Sequence, residues 1–176
     1  MKTRARIALV TFAALFASVR LAFPGPGKDG GPSGFFTYSP DAQVAALQRQ
    51  VKGVVERYQD GLNSSDFAKI RPLFATNSVA EWNEKATMIG VDAMAKPYND
   101  LFKAIKFKTD FQYDAVDVYG DVAIVRTHHP VGPEHFLADG SKKLDFNREI
   151  FVLRRLGGEW KIMLYTFNTQ PRQGEQ

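Results

Sequence analysis

The chain has 176 residues, 44% of them hydrophobic, enough for one domain of ordinary size that buries well over half of its unfolded surface. A formal charge of +4 and a pI near 9.3 invite a nucleic-acid reading, yet the excess sits at one end. Residues 1–27 hold Lys2, Arg4, Arg6 and Arg20 with no acid, which leaves 19 of the 23 basic residues against 19 acidic ones in the remainder.

That remainder is neutral and has no basic run longer than the pairs Lys142-Lys143 and Arg154-Arg155, so no phosphate-tracking stripe is expected and no nucleic-acid partner. Cysteine is absent, which removes disulfides, thiolate chemistry and a lipid-bearing cysteine together. The start MKTRAR is a basic segment followed by the apolar run IALVTFAALFASV, of signal-peptide length and short for a membrane span. Residues 1–22 are therefore expected to direct export to the periplasm or beyond. If the segment is not cleaved, it serves as an N-terminal tether. Residues 23–38 are rich in Gly and Pro and read as a linker. Residues 39–170 form the domain and 171–176 a tail.

Within the domain, Ser39-Pro40-Asp41 reads as a helix start, with Ser39 as the cap and Pro40 in the first turn. Val44, Leu47, Val51, Val54, Val55, Tyr58 and Leu62 then recur at three- and four-residue steps and make one apolar stripe, with Gln48, Arg49, Lys52, Glu56 and Arg57 off it. Asn63-Ser64-Ser65-Asp66 ends this helix and caps a short second one through Phe67 and Ile70. Short strands are expected at 79–82 and 86–89. Helical spacing returns over 90–105, where Pro97 either kinks the helix or marks its real beginning, and a kink is expected. Long strands are expected at 107–119, 122–129, 144–153 and 160–167, separated by the turn signals Gly120-Asp121, Asp139-Gly140 and Gly157-Gly158. Three helices and a four-strand meander imply an α+β fold, a strongly curved antiparallel sheet with the helices on one face.

This element order resembles the NTF2-like (SnoaL-like) superfamily over residues 40–168. The stretch VVERYQDGLNSSD is similar to the first-helix pattern of its ketosteroid isomerase branch, Leu73-Phe74-Ala75 looks like that branch's corner into the first strand, and Gly158-Glu159-Trp160-Lys161-Ile162 resembles a strand common in the superfamily. The resemblance implies a cone of sheet and helices that encloses a small-molecule pocket, and a homodimer built on the outer sheet face. Tyr58 matches the tyrosine that donates to the developing enolate in those isomerases, and Glu149 approximately matches the strand acid that completes the oxyanion hole. Trp82 stands where those isomerases carry their Asp base, which argues against steroid isomerisation. The adjacent Glu81 points to the opposite face of an unbulged strand.

Pairing the last strands about Asp139-Gly140 puts Arg126, His128, Phe151 and Leu153 on the face of Glu149, a register that the bend from Pro130 to Pro133 can shift by one. In that register Tyr58, Arg126, His128 and Glu149 make a polar floor, and Trp82, Phe102, Phe111, Tyr113 and Phe151 an aromatic wall. His128, His129 and His135 are a poor metal set, and neither metal nor cofactor is expected. Two functional readings fit the sequence. One is a non-catalytic domain that binds a small apolar molecule. The other is an isomerase, cyclase or lyase that uses Tyr58 and Glu149 as hydrogen-bond donors.

Overall fold

A computed structural model of the chain describes residues 36–83, 85–129, 134–137, 139–144 and 147–169. The expected export segment, most of the linker, the bend from Pro130 to Pro133 and the tail lie outside the described residues. Helix α1 (Ala42–Asn63) is followed by α2 (Phe67–Ile70), β1 (Phe74–Glu81), β2 (Met88–Ile89), α3 (Ala95–Ala104) and β3 (Ile105–Lys106). The second half is β4 (Gln112–Tyr119), β5 (Val122–His128), β6 (Glu134–Leu137), β7 (Lys142–Leu144), β8 (Asn147–Leu156) and β9 (Glu159–Thr169).

Local chemistry explains these boundaries and corrects three expectations. Asp41, not Ser39, caps α1: its carboxylate accepts from the backbone N–H groups of Gln43 and Val44, while Ser39 Oγ accepts from the Asp41 N–H. Gln48 is buried although it reads as off the stripe, because its amide bridges two backbone groups, donating to the Val116 carbonyl and accepting from the Ser39 N–H. Pro97 lies in the first turn of α3, where its missing N–H has no intrahelical acceptor to lose, so it marks the helix start rather than a kink.

The main sheet has the strand order β2-β1-β9-β8-β5-β4. It is mostly antiparallel, but β1 and β9 run parallel, so the fold is α+β with a mixed sheet rather than a purely antiparallel one. The strands β3, β6 and β7 form a second, three-stranded sheet. Gly157 and Gly158 both take positive φ in the two-residue turn that joins β8 to β9, a conformation in which a Cβ is costly. Helix α1 lies against β4, β5 and β9. Its Val51, Val54, Val55 and Tyr58 meet Val125, Phe151, Leu153 and Ile162 in one core.

Two bulges decide which side chains face inward. In β9 the pairing steps from Val152 opposite Leu164 to Leu153 opposite Ile162. The extra residue, Met163, switches the inward parity from Trp160 and Ile162 to Tyr165 and Phe167. In β4 the step from Tyr113 opposite Thr127 to Ala115 opposite Arg126 leaves Asp114 as the extra residue.

Helices α1 and α2 touch closely at Gly61, where a Cβ would meet Ile70 Cγ1 at 2.4 Å. Gly61→Ala is expected to destabilise the domain by about 1–3 kcal/mol. Gly53→Ala, whose Cβ would meet nothing nearer than the flexible tip of Arg57 at 3.7 Å, is expected to be neutral or stabilising by up to about 1 kcal/mol. Thermal melting of the two variants side by side checks both.

Candidate functional site

Between α1, α3 and the sheet lies a cavity of about 740 Å³, within the range of small-molecule sites. Its walls are largely apolar, with Leu62, Trp82, Met88, Leu101, Phe107 and Phe167 among them. Two chains of buried polar groups reach it from opposite elements.

The first begins on α1. The Tyr58 hydroxyl lies 2.8 Å from that of Tyr98 on α3, with both side chains buried. Tyr165, which the β9 bulge turns inward, packs against Tyr58 with ring centroids 5.1 Å apart. Trp82 lies edge-on to Tyr98 with ring centroids 4.8 Å apart. Its N–H favours ionisation of the Tyr98 phenol without the alignment of a full hydrogen bond. Burial pushes the Tyr58 hydroxyl well above the ordinary phenol value, reinforced by Tyr165 and Glu149 and opposed by the bond to Tyr98. Burial raises Tyr98 in the same way, with Tyr58 adding to it. Both phenols are therefore hydrogen-bond donors at neutral pH, not phenolates.

The second chain stands on β5 and β8. Thr127 faces Glu149 across the strands, and its hydroxyl donates to Glu149 Oε2 at 2.7 Å. The other carboxyl oxygen lies 3.0 Å from Nε2 of His129. These residues are only 1%, 2% and 5% exposed for Thr127, Glu149 and His129, so each polar group depends on its neighbour. His129 extends β5 by one further bond, its N–H donating to the Asn147 carbonyl at 3.1 Å. Its ring lies against Phe111, centroids 5.4 Å apart, and Phe111 in turn stacks on Tyr58. Thus one aromatic ring joins the two chains.

Of the residues read from sequence, Tyr58, Glu149, Trp82 and Phe111 line the cavity. Arg126 and His128 do not. The β5–β8 register sets Arg126 opposite Ile150 and His128 opposite Arg148, whereas pairing about Asp139-Gly140 sets them opposite Leu153 and Phe151, a three-residue offset whose odd count exchanges the two faces. The described hairpin supplies one residue of that offset: Phe136 pairs with Lys142, so the hairpin is centred on Asp139 and not between Asp139 and Gly140. Arg126 is exposed, and His128 contacts the bulged Asp114 carboxylate at 3.0 Å. Phe102 and Phe151 are core residues behind the wall, and Tyr113 lies beneath the Lys52 ammonium on the α1 side. Glu81 is exposed and supplies no carboxylate to the cavity. Asp100 stands at the rim, where Lys96 holds its carboxyl below the usual range.

Sequence reasoning missed Tyr98, Thr127 and His129 as site residues. Tyr98 was legible only as one member of an apolar stripe. Selecting His129 over His128 required the register.

No family model and no curated protein matches the sequence. Solved structures do. A ketosteroid isomerase-like protein from Erwinia carotovora atroseptica superposes with a TM-score of 0.65 at 20% identity, over 71% of this chain and 97% of that one. An NTF2-like superfamily protein from Salmonella enterica gives 0.63 at 18%, over 74% and 95%. A putative dehydratase of the NTF2-like family from Streptomyces avermitilis gives 0.60 at 16%, over 72% and 98%. The fold is NTF2-like.

The raised phenols yield a pH prediction. Tyr58, Tyr98 and Tyr113 all hold their protons more tightly in the folded chain than at the reference value of 10.0. Their contribution to stability is complete below that pH, and it is lost as pH rises and the unfolded chain alone ionises. An absorbance titration should show these three of the six tyrosines releasing protons only together with unfolding. Their smooth ionisation in a chain that stays folded would contradict the burial.

Proposed function

We propose that this domain binds a small, mostly apolar molecule that carries one or two oxygen functions. The observation that carries the reading is a cavity of about 740 Å³ whose aromatic wall is interrupted by polar groups suited to a ligand. Thr109 Oγ1 and Trp82 Nε1 are buried without a hydrogen-bond partner among the described residues, and both residues line the cavity. Buried groups of this kind are normally satisfied, and a ligand oxygen would satisfy them. Trp82 adds apolar wall at the position where the ketosteroid isomerases are expected to place a carboxylate, so the proposal does not include steroid isomerisation. Export, read from residues 1–22, belongs to the same proposal: recovery of a shortened chain outside the cytoplasm supports it, and an intact cytoplasmic chain opposes it.

β-Naphthol, a fluorescent apolar molecule with one hydroxyl, tests the site. Saturable binding at one molecule per chain is expected. Leu101→Trp, which fills the cavity from α3, should weaken binding at least about tenfold, and Tyr58→Phe by about two- to tenfold through the loss of one hydrogen bond. Binding that neither substitution changes would place the molecule elsewhere and end this assignment.

A further inference from the structure

We propose that the cavity takes an apolar monocarboxylate, whose two oxygens are held at the turn after β1 by the Lys85 ammonium and the Trp82 indole N–H. The inference rests on the cavity being a ligand site, and it deepens that reading by naming the charge of the ligand and the residues that select it.

The backbone brings the two groups together. The Lys85 N–H donates to the Trp82 carbonyl at 3.1 Å, the hydrogen bond of a β-turn, which sets the two Cα atoms within about 7 Å of each other. Both residues line the cavity. Trp82 Nε1 is buried next to the Tyr98 hydroxyl and has no aligned acceptor among the described residues. Indole is a donor only, so an acceptor is what this position lacks. Lys85 is exposed, and its ammonium forms no ion pair among the described residues. The turn therefore presents a buried neutral donor and an exposed cation to one space.

The charge balance of the wall gives the sign of the ligand. Among the described residues Lys85 is the only Lys or Arg on the wall, and Asp100 and Glu149 are the only acids. Both acids are already engaged. Lys96 and Lys103 hold Asp100, while Glu149 accepts from Thr127 and lies 3.0 Å from Nε2 of His129. An anion is thus the complement that the Lys85 ammonium is missing. Leu62, Leu101, Phe107 and Phe167 make the rest of the wall suited to hydrocarbon, so the apolar body enters first and the charge stays at the mouth. That orientation keeps the anion in contact with water and avoids the cost of burying it. One ammonium and one N–H match the two oxygens of a carboxylate. A phosphate monoester would bring a second charge with no second cation on the wall to meet it.

The test uses the full chain and a matched pair of probes, β-naphthylacetate and β-naphthylacetamide, which share the ring and differ in charge. Each is titrated in competition with β-naphthol at low salt. The wild type should bind the carboxylate at least about fivefold more tightly than the amide, and added salt should shrink this preference because the ammonium is exposed. Lys85→Met should bring the two affinities within about twofold, and Lys85→Glu should make the amide the tighter ligand. Trp82→Phe keeps an aromatic wall and removes the donor, and it should weaken the carboxylate by about two- to tenfold. A smaller preference in the wild type would overturn the proposal, as would a preference that survives in Lys85→Met or an unchanged carboxylate affinity in Trp82→Phe. Lys85 is an exposed residue, so its variants keep the test decisive if Trp82→Phe does not fold. Absence of β-naphthol binding to the wild type would end the ligand-site reading itself, whereas β-naphthol binding without a preference for the carboxylate would end only the assignment of the anion site.

Discussion

The arrangement of the site depends on one cross-strand pair, Thr127 opposite Glu149. A carboxyl group on the inner face of a sheet is tolerable only with partners close at hand, since stranding a buried charge by removal of its partner costs about 3–5 kcal/mol. The observed register supplies Thr127 on one oxygen and His129 on the other. A slip by one residue would turn Arg126 and His128 inward and carry Val125, Thr127 and His129 to the outer face. It would also remove Val125, fully buried here, from the core. Apolar packing and polar satisfaction therefore select the same register.

The bulges carry this logic across the rest of the sheet. Without the extra residue at Met163, the alternation that buries Trp160 and Ile162 would point Tyr165 and Phe167 away from the cavity. With it, β9 serves the core at one end and the cavity at the other. The bulge at Asp114 does similar work around β4, where Phe111, just before the strand, reaches the cavity and Val116 the core. A fold that encloses a pocket needs such changes of parity, because strict alternation would commit each strand to one pattern throughout its length.

Much of the fold was legible in the sequence because it rests on local signals. The apolar stripe of α1, the Asn63 to Asp66 break and the glycine turns each follow from the chemistry of a few neighbouring residues, and the NTF2-like resemblance drawn from them agrees with the structural neighbours. The parallel pairing of β1 with β9 was not legible, because it joins segments with no local link. The site was legible by residue type and not by orientation. Tyr58 and Glu149 stand on the cavity as single residues, but the wall around them depends on a hairpin centre, two bulges and a helix start at Pro97 that together decide the roles of Tyr98, Thr127 and His129. Adjacent residues His128 and His129 illustrate the difficulty: composition treats them alike, while the pleat sends one to Asp114 on the outer face and the other to Glu149.

These two histidines also give the most direct measurement. The imidazole resonances of a chain labelled at histidine, assigned by single substitution, can be followed as β-naphthol is added. The account predicts that the His129 signals move with saturation while those of His128 stay in place. Movement of His128 with His129 unchanged, or no movement of either ring at full occupancy, would contradict it.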